Sequence, residues 1–476
     1  MIFNSEKNAG DGSDKSNPLD PFENLKKHFG DIFSSAGSKL SFVVPGMGQE
    51  NQTVDDDNSG DEETAEFIEK IKNFNLKPRE IRDFLDRFVI KQAEAKKVLS
   101  VAVCDHYNHV KRCLLSEDVA QEEYSKQNVL ILGPTGVGKT YLIKNIAKLI
   151  GVPFVKVDAT KFSETGYVGG DVDDMIRDLA KAANNNIKLA QYGIVFIDEI
   201  DKIATASDAG GRDVSGRGVQ INLLKLMEES EVNAYSQTDM ISQLRAAMSF
   251  ANSGSGREQK PSINTKHVLF IASGAFDKLS DIVKSRIGAK SIGFSAKISK
   301  NEDAETYEYL QKASTVDFIK YGFEPEFIGR LPVRVACESL KADDLKNILT
   351  LSEGSILKQY VEDFRGYGIK FSAEDGALEA VAKLAVEEKT GARALLTILE
   401  KILRNFKFEL PSTDVKSLRV TKDTADAPDR ALSALMAHCS KKNDGAKIHK
   451  VHTPKPSKKK NAPPEDKHGT GTSEVV

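Results

Sequence analysis

Four short apolar runs mark the middle of the chain: Val129 to Leu132, Phe154 to Val157, Ile194 to Ile197 and Val268 to Ile271. Between the first two, Leu142, Ile143, Ile146, Leu149 and Ile150 recur at the spacing of one helical face. Uninterrupted apolar runs that alternate with helical periodicity predict an α/β fold, a parallel sheet buried under helices on both sides. From about Ser339 to Pro411 strand-like runs fade, and helix-period sets such as Leu378, Val381, Ala382, Leu384 and Ala385 take over. A second, smaller and mainly helical domain is predicted there.

Composition sets the margins. The chain has 476 residues, more than one hydrophobic core usually holds. Residues 1–76 are rich in Asp, Glu, Ser, Asn and Gly, with acidic clusters at Asp55-Asp56-Asp57 and Asp61-Glu62-Glu63, and are expected to be flexible. Within them Phe22, Leu25, Phe29, Ile32 and Phe33 could form one amphipathic helix, packed on the body or offered to a partner. Residues 77–336 are expected to form the large α/β domain and 337–425 the helical one. Residues 426–476, centred on Lys458-Lys459-Lys460, read as a flexible basic tail.

Charge narrows the function classes. A net charge of −3 gives no global field for nucleic acid or an anionic membrane, and the core shows no basic stripe interleaved with aromatics. The four cysteines are scattered, with no Cys-x-x-Cys pair, so no zinc site or disulfide framework is expected. No apolar run reaches the roughly 18 to 20 residues that span a bilayer, and no signal-peptide pattern opens the chain. A cytoplasmic protein is expected.

The chemistry begins after the first apolar run. Gly133-Pro134-Thr135-Gly136-Val137-Gly138-Lys139-Thr140 matches G-x-x-x-x-G-K-[ST], with a strand before it and an amphipathic helix after it. Glycines let backbone N–H groups turn toward phosphate oxygens, and the helix start adds partial positive charge. Lys139 would reach the β and γ phosphates of ATP, and the Thr140 hydroxyl would ligate magnesium. Further on, the apolar run Ile194 to Ile197 ends in Asp198-Glu199. Two carboxylates at the end of a buried strand suit a magnesium-binding Asp198 and a Glu199 that polarises the attacking water.

With these motifs in place, the stretch from about Pro78 to Pro411 resembles the AAA+ protein unfoldases, most closely the ClpX family, ATPase partners of the ClpP peptidase. The resemblance includes Glu80-Ile81-Arg82 and Val89-Ile90-Lys91-Gln92, which implies that Val89 and Ile90 contact adenine; Lys91 stands where the family usually has glycine. Gly166-Tyr167-Val168-Gly169 resembles the loop that grips polypeptide in the axial pore, implying that role for Tyr167 and Val168. Arg212-Asp213-Val214-Ser215-Gly216 resembles the second pore loop, with Arg217 in place of the usual acidic residue. Phe327-Ile328-Gly329-Arg330-Leu331-Pro332 looks like the arginine-finger segment, so Arg330 would approach a neighbouring subunit's nucleotide. Gly391-Ala392-Arg393 resembles the second sensor, and Ser273 stands where the first sensor is expected, just after the fourth apolar run.

The same resemblance implies a homohexamer that unfolds tagged or unfolded proteins. Ile292-Gly293-Phe294 is similar to the tripeptide by which the family docks on a ClpP-type peptidase. Two segments, Ala159-Thr160-Lys161-Phe162 and Ile271 to Phe276, read more like HslU, which lacks that docking loop. The family's N-terminal zinc module has no counterpart, and Val232 to Thr265 is longer and less basic than the family's pore-entrance loop. A peptidase-independent remodelling chaperone remains the alternative.

Overall fold

The computed structural model describes residues 59–122, 124–162, 170–204, 214–234, 261–288 and 302–443. Its strands are β1 (Val129–Leu132), β2 (Phe154–Asp158), β3 (Ile194–Asp198), β4 (Glu231–Asn233), β5 (Ser262–Asn264), β6 (Leu269–Gly274), β7 (Val333–Ala336), β8 (Lys370–Ala373) and β9 (Ser417–Val420). Five of them form one parallel sheet in the order β2-β3-β6-β1-β7.

The apolar runs are continuous because both faces of this sheet are covered. Leu130, Leu132, Val195, Ile197, Phe270 and Ala272 point into one core with the helices Asp174–Ala182, Val214–Glu228 and Leu279–Gly288. Val129, Ile131, Ile194, Phe196, Leu269 and Ile271 point into the other, with the helices Pro78–Phe88, Ala93–Leu115 and Lys139–Ile150. The period-two alternation of a strand is thus present, hidden by the fact that both sides are dry.

A third core follows, built by Leu345, Phe364, Leu378, Val381, Ile398, Leu403 and Phe406 from the helices between Ala342 and Glu409. The fold class is the expected one, an α/β domain followed by a helical domain. The helical domain also holds a two-stranded parallel pair, β8 with β9, which the fading apolar runs did not suggest.

Two segments expected to be flexible are ordered in part. Ser59–Lys72 is a helix, and Phe67 and Ile71, four residues apart on one face, are buried with Phe74 in the second core. Pro428–Asn443 is also helical, with Leu432 buried against the third core. In both, a few apolar residues at helical spacing outweigh a polar average.

Candidate active site

The phosphate-loop sequence leaves β1 at Leu132 and enters the helix Lys139–Ile150 at the carboxyl edge of the sheet. Gly133, Gly136 and Gly138 all hold positive φ, at 132°, 78° and 100°. The Lys139 ammonium lies back over the loop, donating to the Gly133 carbonyl at 2.5 Å and the Pro134 carbonyl at 3.0 Å. Burial pushes its pKa below the ordinary lysine value, with Arg393 acting the same way and Cys337, Asp198 and Asp201 opposing. A partly desolvated ammonium beside a helix N-terminus is a donor set that fits a polyphosphate.

β3 delivers Asp198 and Glu199 beside that loop. Asp198 Oδ1 accepts from the Ser273 hydroxyl at 2.6 Å and from the Glu199 backbone N–H at 3.2 Å, while Oδ2 pairs with Lys156 Nζ at 2.8 Å. Burial alone would raise the Asp198 pKa; the hydrogen bonds from Lys156 and Ser273 outweigh it and hold the carboxyl below its usual range. A carboxylate kept ionised and pinned on both oxygens suits a magnesium-binding role. Ser273, expected after the strand, lies inside β6 opposite Ile131 and is fully buried. Its hydroxyl therefore meets Asp198.

Glu199 takes the left-handed conformation at φ 57°. Such a backbone costs a non-glycine residue on the order of 1–3 kcal/mol and persists where the surroundings over-determine it. No hydrogen bond or ion pair joins its carboxylate to another described side chain, and the residue is exposed.

The helical domain closes the cleft. Ala392 N–H donates to the Gly136 carbonyl at 2.9 Å, and a side chain at Gly136 (φ 78°) would overlap the Thr390 carbonyl oxygen. Glycine at Gly136 thus serves both the turn and the approach of the second domain. Arg393 follows as the first residue of the helix Arg393–Glu409 and bears electrostatically on Lys139. On the other wall Val89 is buried, its Cγ1 toward Gly138, and Ile90 is half-buried beside it.

Lys91 gains an explanation. It holds φ 64°, a conformation in which glycine would be at ease, and its ammonium reaches the Ser339 carbonyl at 2.8 Å and Asp344 at 3.0 Å. Gln92 exchanges two hydrogen bonds with the Glu338 backbone, both 2.8 Å. Lys91 accepts a strained backbone and pins the connection between the domains. Lys91→Gly relieves the strain and removes the pins. Hydrogen bonds to charged groups contribute roughly 1.5–3 kcal/mol each, so the net expectation is a loss of about 1–2 kcal/mol. Amide exchange across residues 338–344 should accelerate by about five- to thirtyfold, as that loss implies; exchange at the parental rate would show that the pins carry no weight.

Arg330 lies elsewhere. The register Val129 to Val333 and Leu132 to Ala336 puts it before β7, at the amino edge of the sheet, whereas its own phosphate loop leaves the carboxyl edge. At about 3.3 Å per residue the strand alone separates the two by roughly 13 Å. Its guanidinium pairs with Glu228 at 2.6 Å, both side chains about half exposed. Tyr167, Val168, Ile292, Gly293 and Phe294 lie outside the described residues. Lys156 was missed by sequence reasoning; its signal is a lone lysine inside the apolar run Phe154 to Val157.

A five-stranded parallel sheet, a phosphate loop, an acidic strand end and a helical domain folded over them define an ATPase of the AAA class. Residues 124–334 match the AAA domain (Cdc48 subfamily), and residues 340–414 match the C-terminal D2-small domain of ClpB protein. The chain is 42% identical over 370 residues to the ATP-dependent Clp protease ATP-binding subunit ClpX of Porphyromonas gingivalis, spanning 76% of this chain and 85% of the relative. It is 40% identical over 342 residues to the ClpX subunit of Treponema denticola, spanning 70% and 77%. The chain belongs to the ClpX family of ATP-binding subunits. Among the described residues no helix is long and apolar enough to cross a membrane.

Proposed function

We propose that this chain is an ATP-driven protein unfoldase and translocase that works as a homohexamer in the cytoplasm and feeds unfolded or tagged proteins to a ClpP-type peptidase. The observation that carries the reading is the cleft in which the Gly136 carbonyl and Ala392 N–H join the phosphate loop to the helical domain, in a chain so similar to ClpX subunits. A nucleotide held there touches both domains, so its hydrolysis can change the angle between them.

Within that reading the residues divide the work. The loop Gly133 to Thr140 cradles the phosphates, Lys139 neutralises their charge, and Val89 and Ile90 cover the base. Thr140 and Asp198 would hold magnesium, which when bound neutralises the phosphate oxygens. Glu199 accepts the proton of the attacking water, Ser273 keeps Asp198 in place, and Arg393 reports the nucleotide state to the helical domain. Arg330 completes the neighbour's site. Tyr167 and Val168 grip the polypeptide, and Ile292, Gly293 and Phe294 dock the peptidase.

The test is ATP-dependent loss of fluorescence from a stably folded, tagged reporter. Tyr167→Ala should slow it by about tenfold or more, a change of roughly 1.4 kcal/mol in barrier, while ATP hydrolysis stays within about twofold. Phe294→Ala should unfold the reporter normally yet stop its degradation by the peptidase. A Tyr167→Ala protein that unfolds at the parental rate would sink the gripping role. Unfolding by the parent with no peptidase binding would favour the remodelling chaperone.

A further inference from the structure

Among its described side chains, the helix Val214–Glu228 carries one polar group sealed in the core: Gln220, 1% exposed. Its Nε2 donates to the Ile203 carbonyl at 3.0 Å and faces the Gly322 carbonyl at 3.4 Å, while its Oε1 accepts from the Glu324 N–H at 2.8 Å. Those partners belong to two functional segments. Ile203 ends the turn Ile200–Ile203, which begins directly after Glu199. Glu324 caps the helix Pro325–Gly329, which ends on Arg330. The same long helix supports that segment twice more, through Arg217 to Glu324 at 3.1 Å and Glu228 to Arg330 at 2.6 Å.

We propose that Gln220 is a positioning residue that ties the turn behind Glu199 to the segment presenting Arg330, so that a subunit's own catalytic strand sets where its arginine stands against the next subunit's nucleotide. The inference rests on the reading of Arg330 as acting on a neighbour. Gln220 suits the task because a single carboxamide bonds both segments, and a planar group of fixed size leaves little slack between them. Being buried, those bonds are costly to leave unmade, so the two segments shift together rather than part. The surrounding Val219, Leu223, Phe327, Ile328 and Leu331 are buried and hold the helix in place without specifying the spacing of the polar groups.

A structural role alone and a positioning role predict different kinetics, and a double-mutant cycle over ATP hydrolysis by the full chain separates them. Gln220→Leu should lower kcat by about tenfold or more with the dissociation constant of a fluorescent ATP analogue within about twofold. In an Arg330→Ala background the same change should lower kcat by less than about twofold, because the residue acts through the arginine already removed. An equal loss in both backgrounds, an unchanged kcat, or a fall in affinity matching the fall in kcat would each overturn the proposal. Should Gln220→Leu fail to fold, Gln220→Glu keeps the acceptor for Glu324 and loses the donors to Ile203, and the same cycle applies. Arg330→Ala hydrolysing ATP at the parental rate would remove the underlying finger assignment and the proposal with it, and is recognisable because Gln220 is intact in that protein.

Discussion

Replacing Glu199 with glutamine should leave a protein that binds ATP and hardly hydrolyses it. The carboxylate stands at the end of β3 in a left-handed conformation, free of any ion pair with a described side chain, next to an Asp198 whose two oxygens are already engaged by Ser273, Lys156 and the Glu199 N–H. Of the two acids, only Glu199 has its side chain free to take a proton. Glutamine keeps the volume and loses the basicity, while the phosphate loop, Lys139 and Val89 are untouched. Removing a positioned general base costs typically 10²–10⁴ in rate, so kcat should fall by about that factor with nucleotide affinity within about twofold. Single-turnover hydrolysis and equilibrium binding of a fluorescent analogue read the two quantities separately. Hydrolysis at the parental rate would mean that the engine has been misplaced.

The order of these features in the chain explains what could be read without the structure. A strand buried on both faces must be apolar throughout, so β1, β3 and β6 announce themselves, whereas the half-buried edge strand β2 admits Lys156. The phosphate loop is legible because three glycines at positive φ and one lysine are required at fixed local spacing. Contacts between distant segments leave no such local trace. Lys156 reaches Asp198 from the neighbouring strand, Lys91 reaches Asp344 across the domain boundary, and Gln220 joins the turn at Ile203 to the segment at Glu324. Lys156 shows in the sequence only as a lone lysine in an apolar run and Lys91 only as a departure from the usual glycine, and neither names its partner; Gln220 looks like an ordinary polar residue. The helix Ser59–Lys72 was hidden for a different reason, because two apolar residues on one face decide its packing while the polar majority decides its composition. The pair β8 and β9 is four residues per strand, with only alternate positions buried, too short for a pattern to stand out.

Arg330→Ala should be at least as inactive as the Glu199→Gln protein, and the two should rescue each other. Arg330 sits at the amino edge of the sheet, away from its own phosphate loop, and rests on Glu228 in a half-exposed pair. Exposed ion pairs of this kind contribute about 0–1 kcal/mol, so a nucleotide phosphate can displace Glu228 at little cost. An arginine finger is worth roughly 10³–10⁵ in rate, and its loss should lower kcat accordingly. Co-expression under two affinity tags then distinguishes the geometry. An Arg330→Ala subunit retains a sound pocket, and a Glu199→Gln subunit retains a sound arginine. If the finger reaches across a head-to-tail ring contact, random mixing in equal amounts joins the two sound halves at about a quarter of the contacts, and activity should return to that order. An arginine acting within its own chain would leave every site in the mixture defective. Mixed assemblies that stay as inactive as either parent variant, although both tags co-purify, would therefore refute the shared site and leave the fold without its reason to form a ring.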